Sequence, residues 1–130
     1  MAEFSQTPAS VQEYGALRAV AGLGAFPDAA AHIALDNTLH GVWLREQGRL
    51  VGTGRLIGDG GCFAQVTDIA VYPDLPGQGF GSRIMDQVMT WVGANLPPEC
   101  YISLIADPGA EARYEKFGFA PRTGMARRAQ

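Results

Sequence analysis

A chain of 130 residues with 47 % hydrophobic and 18 % charged residues suits one folded domain around a single core, and it excludes a disordered or fibrous protein. The net charge of −3, with no long basic block, offers nucleic acid no broad positive surface, despite the basic pair in the final MARRAQ. The apolar runs are too short to span a bilayer and MAEFSQTPAS lacks the basic-then-apolar layout of a signal peptide, so a cytoplasmic protein without a membrane partner is expected.

Taken in chain order, Ser10 to Glu13 reads as a capping box. Tyr14, Leu17, Val20 and Ala21 follow at helical spacing, and Gly22 and Gly24 close the helix. A second helix opens at Pro27-Asp28, carries AAAHIAL and ends near Leu39. GVWLREQ and RLVGTGRLI then read as strands joined by a turn at Gln47-Gly48, and GDGG at 58–61 marks another hairpin. CFAQVTDIAVY is a long strand, apolar on both faces except for Asp68, which places it centrally in a sheet. Phe80, Ile84, Val88, Trp91 and Val92 trace one face of a helix that Gly93 and Pro97-Pro98 end. CYISLIA is a second buried strand, a short helix covers Ala110 to Lys116 with Gly118 as its cap, and the chain from Phe119 on has room for two short strands at most. The expected fold class is a single mixed α/β domain over residues 1–130, its sheet flanked by helices and holding at least one parallel, helix-crossed strand pair.

The two cysteines, Cys62 and Cys100, adjoin the strand-like runs and read as small buried hydrophobes. Neither has a sequence-local basic partner that would favour a covalent acyl carrier. His32 and His40 stand alone, no Cys or His pair has metal-ligand spacing, and no metal is expected.

PGQGFGS, residues 76–82, places glycine at 77, 79 and 81 between a buried strand and a helix. A helix N-terminus carries unsatisfied N–H groups and the positive end of the dipole, and glycines let an anion reach them. The common phosphate motifs fail here. A P-loop needs Gly-Lys-Ser/Thr where no lysine stands, and the dinucleotide fingerprint needs glycine at Ser82. On the glycines alone, an anion cradle and a plain packing turn are equally good readings.

The run V-T-D-I-A-V-Y-P-x-x-x-G-Q-G-F-G-S, from Val66 to Ser82, resembles the acetyl-CoA-binding segment of the GNAT superfamily of N-acetyltransferases. A second stretch, R-Y-E-K-F-G-F at 113–119, resembles the family's F-Y-E-K-x-G-F near the chain end. The two lie one strand and one helix apart, and the order of elements before them also agrees. The resemblance implies a GNAT-like fold and acetyl-CoA as cosubstrate. Its pyrophosphate would lie on the N–H groups of the loop of Gly77, Gln78, Gly79, Phe80, Gly81 and Ser82, and its pantetheine arm along Ile69 and Val71. Pro76 stands where the family prefers Arg or Gln, which removes one side-chain contact.

By the same resemblance Tyr114 is the general acid toward the coenzyme thiolate; its alternative is a core aromatic. Asp107 falls where the family often has a cofactor-contacting Asn, and Asp107-Pro108 is also a helix-start signal. Asp68 is the base candidate, a carboxylate in an apolar strand, with a structural aspartate as the other reading. The oxyanion donor would be the N–H of Val71 or Ile69. Trp43 and Arg55 are placed on the acceptor side or in packing and surface roles. The expected acceptor is a small-molecule primary amine, with a peptide or protein amine, or a silent coenzyme-A-binding module, as alternatives. Many GNAT proteins dimerise, and a homodimer is expected on that ground.

Overall fold

The computed structural model describes residues 1–75 and 79–130. Five strands form one sheet: β1 (Ala2–Ser5), β2 (His40–Glu46), β3 (Arg49–Gly58), β4 (Phe63–Val71) and β5 (Tyr101–Leu104), in the order β1-β2-β3-β4-β5. Helices α1 (Val11–Val20) and α2 (Asp28–Asp36) separate β1 from β2, α3 (Phe80–Asn95) crosses from β4 to β5, and α4 (Glu111–Glu115) follows. The first four strands are antiparallel neighbours, whereas β4 and β5 run parallel. A parallel pair needs a long crossover, and α3 supplies it.

The sheet is covered on both faces. On one side Tyr14, Leu17 and Ala31 from α1 and α2 pack against Trp43, Leu50 and Ala70. On the other, Ile84, Met85 and Val88 from α3 pack against Val42, Leu56, Ala64 and Val66. Gly54 of β3 permits the close approach of α3, since a Cβ there would stand 2.6 Å from Ile84 and 2.9 Å from Ile69. His40 stacks on Trp91 of α3 at 4.7 Å, and burial holds its imidazole pKa below the ordinary value. His40 is therefore a packing residue, and His32 lies exposed on α2.

The expected capping box is formed. Ser10 Oγ accepts from the Glu13 N–H at 3.1 Å, and the Glu13 carboxylate accepts from the Ser10 N–H at 3.0 Å. Arg45 of β2 then clasps Glu13 with both terminal nitrogens, at 2.7 and 3.0 Å, and ties α1 to the sheet. Chiefly because of the Arg45 guanidinium, the Glu13 carboxyl is pulled down to about 2. A lowered carboxylate pKa contributes stability that is complete above the ordinary carboxylate range and is lost as pH falls towards 2. Glu13→Ala should lower stability by about 1 kcal/mol at neutral pH, a melting shift of roughly 3–5 °C. Melting curves of the two proteins should converge as pH falls towards 2, and a constant offset would sink the assignment.

Several expectations from sequence need correction. β1 has no counterpart among the expected elements; it is a short strand whose pairing with β2 fixes it at the sheet edge. The chain from Phe119 on forms no strand among the described residues, so β5 has only β4 as a ladder partner. Cys62 is exposed and not buried, because it precedes β4 on the hairpin where Asp59 Oδ1 accepts the N–H groups of Gly61, Cys62 and Phe63. No described helix is long and apolar enough to cross a membrane.

Candidate active site

Strand β4 is longer than its parallel partner. Residues Phe63 to Val66 pair with Tyr101 to Leu104, after which β5 ends while β4 continues to Val71. On its other side β4 stays paired with β3 as far as Val71, and the next N–H, Tyr72, donates to Val51 O at 2.8 Å. Backbone groups alternate along an antiparallel strand, so those of Val71 point away from β3 into the gap left by β5. A gap of this kind can accept an extended ligand as an added strand.

The start of α3 closes the gap. Gly79 is its N-cap, in the left-handed region at φ 66°, with open space where a Cβ would stand and no side-chain hydrogen bond to the first turn. The first N–H groups of α3 have no side-chain partner among the described residues, at the positive end of a 16-residue helix. Phe80 anchors this turn by burying its ring against Leu44 and Val51, so its contribution to the cleft is its backbone. Ser82 lies half-buried in the same turn. Residues 69–73, Leu75, residues 79–81 and Arg113 line a cleft of about 320 Å³.

Arg113 was not singled out in the sequence. Its side chain crosses from α4 to α3, and a Cβ on Gly81 would meet the guanidinium at 2.9 Å. The glycine is what lets that cation lie against the helix N-terminus. The readable signal was that Arg113 replaces the phenylalanine that opens the family's second motif.

Asp68 does not line this cleft. It sits at a β-bulge, where Asp68 and Ile69 together oppose Gly54, and it takes a left-handed φ of 56°. The bulge reverses the alternation of the strand. Ala64 and Val66 face α3, whereas Asp68 and Ala70 face α1. There the buried carboxylate accepts from Tyr14 Oη at 2.6 Å, from Arg55 Nε at 2.8 Å and from Arg18 Nη1. Arg18 also donates to Leu23 O and Gly24 O, and Arg55 to Ala34 O and Thr38 Oγ1. Burial, followed by the bond to Asp68, holds the Tyr14 hydroxyl above its ordinary pKa. The network joins β4, β3, α1 and both ends of α2's connections, and it favours the structural reading of Asp68 over that of base. Arg55 is a network residue and Trp43 a core residue, in place of the acceptor-side positions considered for them. Tyr14 and Arg18, four apart on one helix face, were legible as neighbours of each other but not of Asp68.

Tyr114 follows Arg113 on α4 and is half-buried; it packs against the α3-side core with its ring edge-on to Phe119 at 6.5 Å, and like Asp68 it is not among the residues that line the cleft. Among the described residues its hydroxyl has no hydrogen-bond partner within the protein and is not sealed from solvent. Asp107 is exposed, and the N-cap of α4 is Ala110, held by a backbone turn from Ala110 N–H to Asp107 O at 2.9 Å. The expected capping by the Asp107 side chain is thus corrected, since Pro108-Gly109 forms a turn before the helix begins. Gly77 and Gln78 lie outside the described residues.

At the end of β4 an open sheet edge adjoins a helix N-terminus whose N-cap offers no side chain, a place that can take an extended ligand with an anionic group. The acetyltransferase (GNAT) domain family matches residues 38–121, and the chain belongs to this family. It is 34 % identical over 71 residues to an uncharacterised N-acetyltransferase, ycf52, of Porphyra purpurea, covering 55 % of this chain and 40 % of that relative's length. The structure is similar to that of a probable acetyltransferase of unknown function from meticillin-resistant Staphylococcus aureus, with TM-score 0.92 and 39 % identity over 98 % of this chain and 99 % of that one. It is also similar to an acetyltransferase assigned to the GNAT family from Xanthomonas campestris pv. campestris, with TM-score 0.77 and 27 % identity over 99 % and 94 % of the two chains.

Proposed function

We propose that this chain is an N-acetyltransferase that moves the acetyl group of acetyl-CoA directly to a primary amine of a small molecule within a ternary complex. The observation that carries this reading is the cleft itself: backbone at Val71 and N–H groups at the start of α3 that have no partner among the described residues, and the Arg113 cation over Gly81. Acetyl-CoA fits these groups. Its pyrophosphate suits the helix N-terminus and Arg113, and its extended arm suits the edge of β4. Bound there, it supplies an acyl group on a good leaving thiolate.

The chain's own residues meet the remaining demands. An amine of pKa ~10.4 is neutral in about one molecule in a few thousand at pH 7, a cost of roughly 4–5 kcal/mol. Asp68 accepts from Arg18, Arg55 and Tyr14 on the α1 face and does not line the cleft, so proton removal is assigned to a water route, with Asp68 as a framework residue. The Val71 N–H, aimed into the cleft, is the oxyanion donor, and Tyr114 is the acid that returns a proton to the leaving sulfur. The net charge of −3 favours a cationic acceptor.

Thermal unfolding with acetyl-CoA, and with NADH and ATP as controls, tests the cofactor. At a hundred times the dissociation constant the stabilisation is about 2.7 kcal/mol, a shift of several degrees. Turnover assays should then show acetylation of small amines; turnover confined to peptides would overturn the acceptor, and no shift with acetyl-CoA would overturn the whole reading. Arg113→Ala should weaken acetyl-CoA roughly 10- to 100-fold by calorimetry, the loss of one or two charge-assisted bonds. Arg113 is exposed, so the melting temperature of the free variant should stay within a degree or so of wild type. An unchanged affinity would remove Arg113 from the cofactor site.

A further inference from the structure

We propose that Cys62 and Cys100 are a paired modification site, oxidised by peroxide to a reversible intramolecular disulfide that staples the paired ends of β4 and β5. The two residues are 38 apart in sequence (100 − 62) but flank the same rung of the sheet. Phe63 and Tyr101 are register partners in the parallel ladder, and Cys62 and Cys100 immediately precede them. The ladder reaches this point, because the Tyr101 N–H donates to Cys62 O at 2.7 Å.

The alternation of the two strand starts points the thiols to one face. The Phe63 and Tyr101 rings meet edge-on at 6.2 Å on one face, and both are exposed. Their neighbours Ala64, Ile102 and Leu104 turn to the other face, against α3. Cys62 and Cys100 stand one residue before the two strands, and carrying the alternation back by that one residue gives them the same face; Cys100 does pack against the α3-side core. Neighbouring strands lie about 4.8 Å apart, inside the ~4.4–6.8 Å between Cα atoms that a disulfide requires. Both cysteines are free thiols, Cys62 exposed and Cys100 half-buried.

This asymmetry suits a stepwise reaction. Peroxide oxidises the exposed Cys62 thiol to a sulfenic acid with release of one water. The Cys100 sulfur then attacks the Cys62 sulfur, an S–S bond forms, the S–O bond breaks, and the hydroxyl leaves as a second water. Two thiols thus give up two electrons and two protons, and one peroxide accepts them. Burial and the nearby Asp59 carboxylate push the Cys100 thiol up, in keeping with Cys62 as the first sulfur oxidised. The cross-link lies at the opposite end of β4 from residues 69–71 and closes a long loop that contains α3.

The test treats the full chain with one equivalent of hydrogen peroxide and follows intact mass, a non-reducing peptide map and thermal melting. The expected result is loss of two hydrogens, a Cys62–Cys100 linked peptide, reversal by dithiothreitol, and a melting rise of roughly 5–10 °C. Cys62→Ser and Cys100→Ser should each abolish both the linked peptide and the rise. Oxygen addition at separate cysteines, disulfide-linked dimers, or two thiols that persist under excess oxidant would each overturn the pairing.

Discussion

Replacing Asp68 with alanine should lower folding stability by about 3–5 kcal/mol, because it leaves the guanidinium groups of Arg18 and Arg55 buried without their counter-charge. The Asp68 side chain is only 3 % exposed, and those of the two arginines 11 % and 7 %. Water therefore has little room to take over the role of the carboxylate. For a domain of this size the melting temperature should fall by roughly 10–20 °C. Asp68→Asn is the sharper test, since it keeps the shape of the side chain and removes the charge. If Asp68 belongs to the framework, Asp68→Asn should lose stability while the pH–rate profile of the surviving enzyme keeps its shape. If Asp68 is the base, the variant should lose the same stability but the shape of its pH–rate profile should change, so the profile and not the melting temperature decides between the two roles. Arg18 and Arg55 share the carboxylate, so the Asp68→Ala and Arg55→Ala effects should be strongly non-additive.

The second large effect is expected at Tyr114. A general acid contributes about 10²- to 10⁴-fold, so Tyr114→Phe should reduce kcat by at least about 100-fold with the acceptor found in the amine screen. The ring and its edge contact with Phe119 survive the substitution, so folding and acetyl-CoA affinity should be nearly unchanged. An unaltered kcat would return Tyr114 to the role of a core aromatic. Together with Arg113→Ala this separates two adjacent residues of α4, one acting on affinity and the other on turnover.

The features legible in the sequence are those whose physics is local. The capping box at Ser10–Glu13, the hairpins at Gln47-Gly48 and at 58–61, the glycine-rich entry to α3 and the stop at Pro97-Pro98 depend on neighbouring backbone groups and turn residues. The capping box, both hairpins and the helix stop stand as expected, and Gly79 opens α3 as its N-cap, while Gly77 lies outside the described residues. The two family motifs likewise placed the cleft between a strand end and a helix start. Sequence missed β1 because its neighbour came from far along the chain: it is a strand only because β2 offers it an edge. The Asp107-Pro108 miss is local, since the turn through Gly109 to Ala110 delays the helix start.

The sequence by itself determined the family fold, the glycine entry and the presence of a lone acid in an apolar strand. The tertiary structure decided what that acid does and what completes the cleft. A one-residue bulge opposite Gly54 turns Asp68 to the α1 face, where Tyr14 and Arg18, 54 and 50 residues away, meet it. The reach of the Arg113 side chain from α4 likewise brings its guanidinium to Gly81. Alternation and helical periodicity predict the face of a residue only while register holds, and a bulge or a contact between distant elements is fixed by packing of the whole chain.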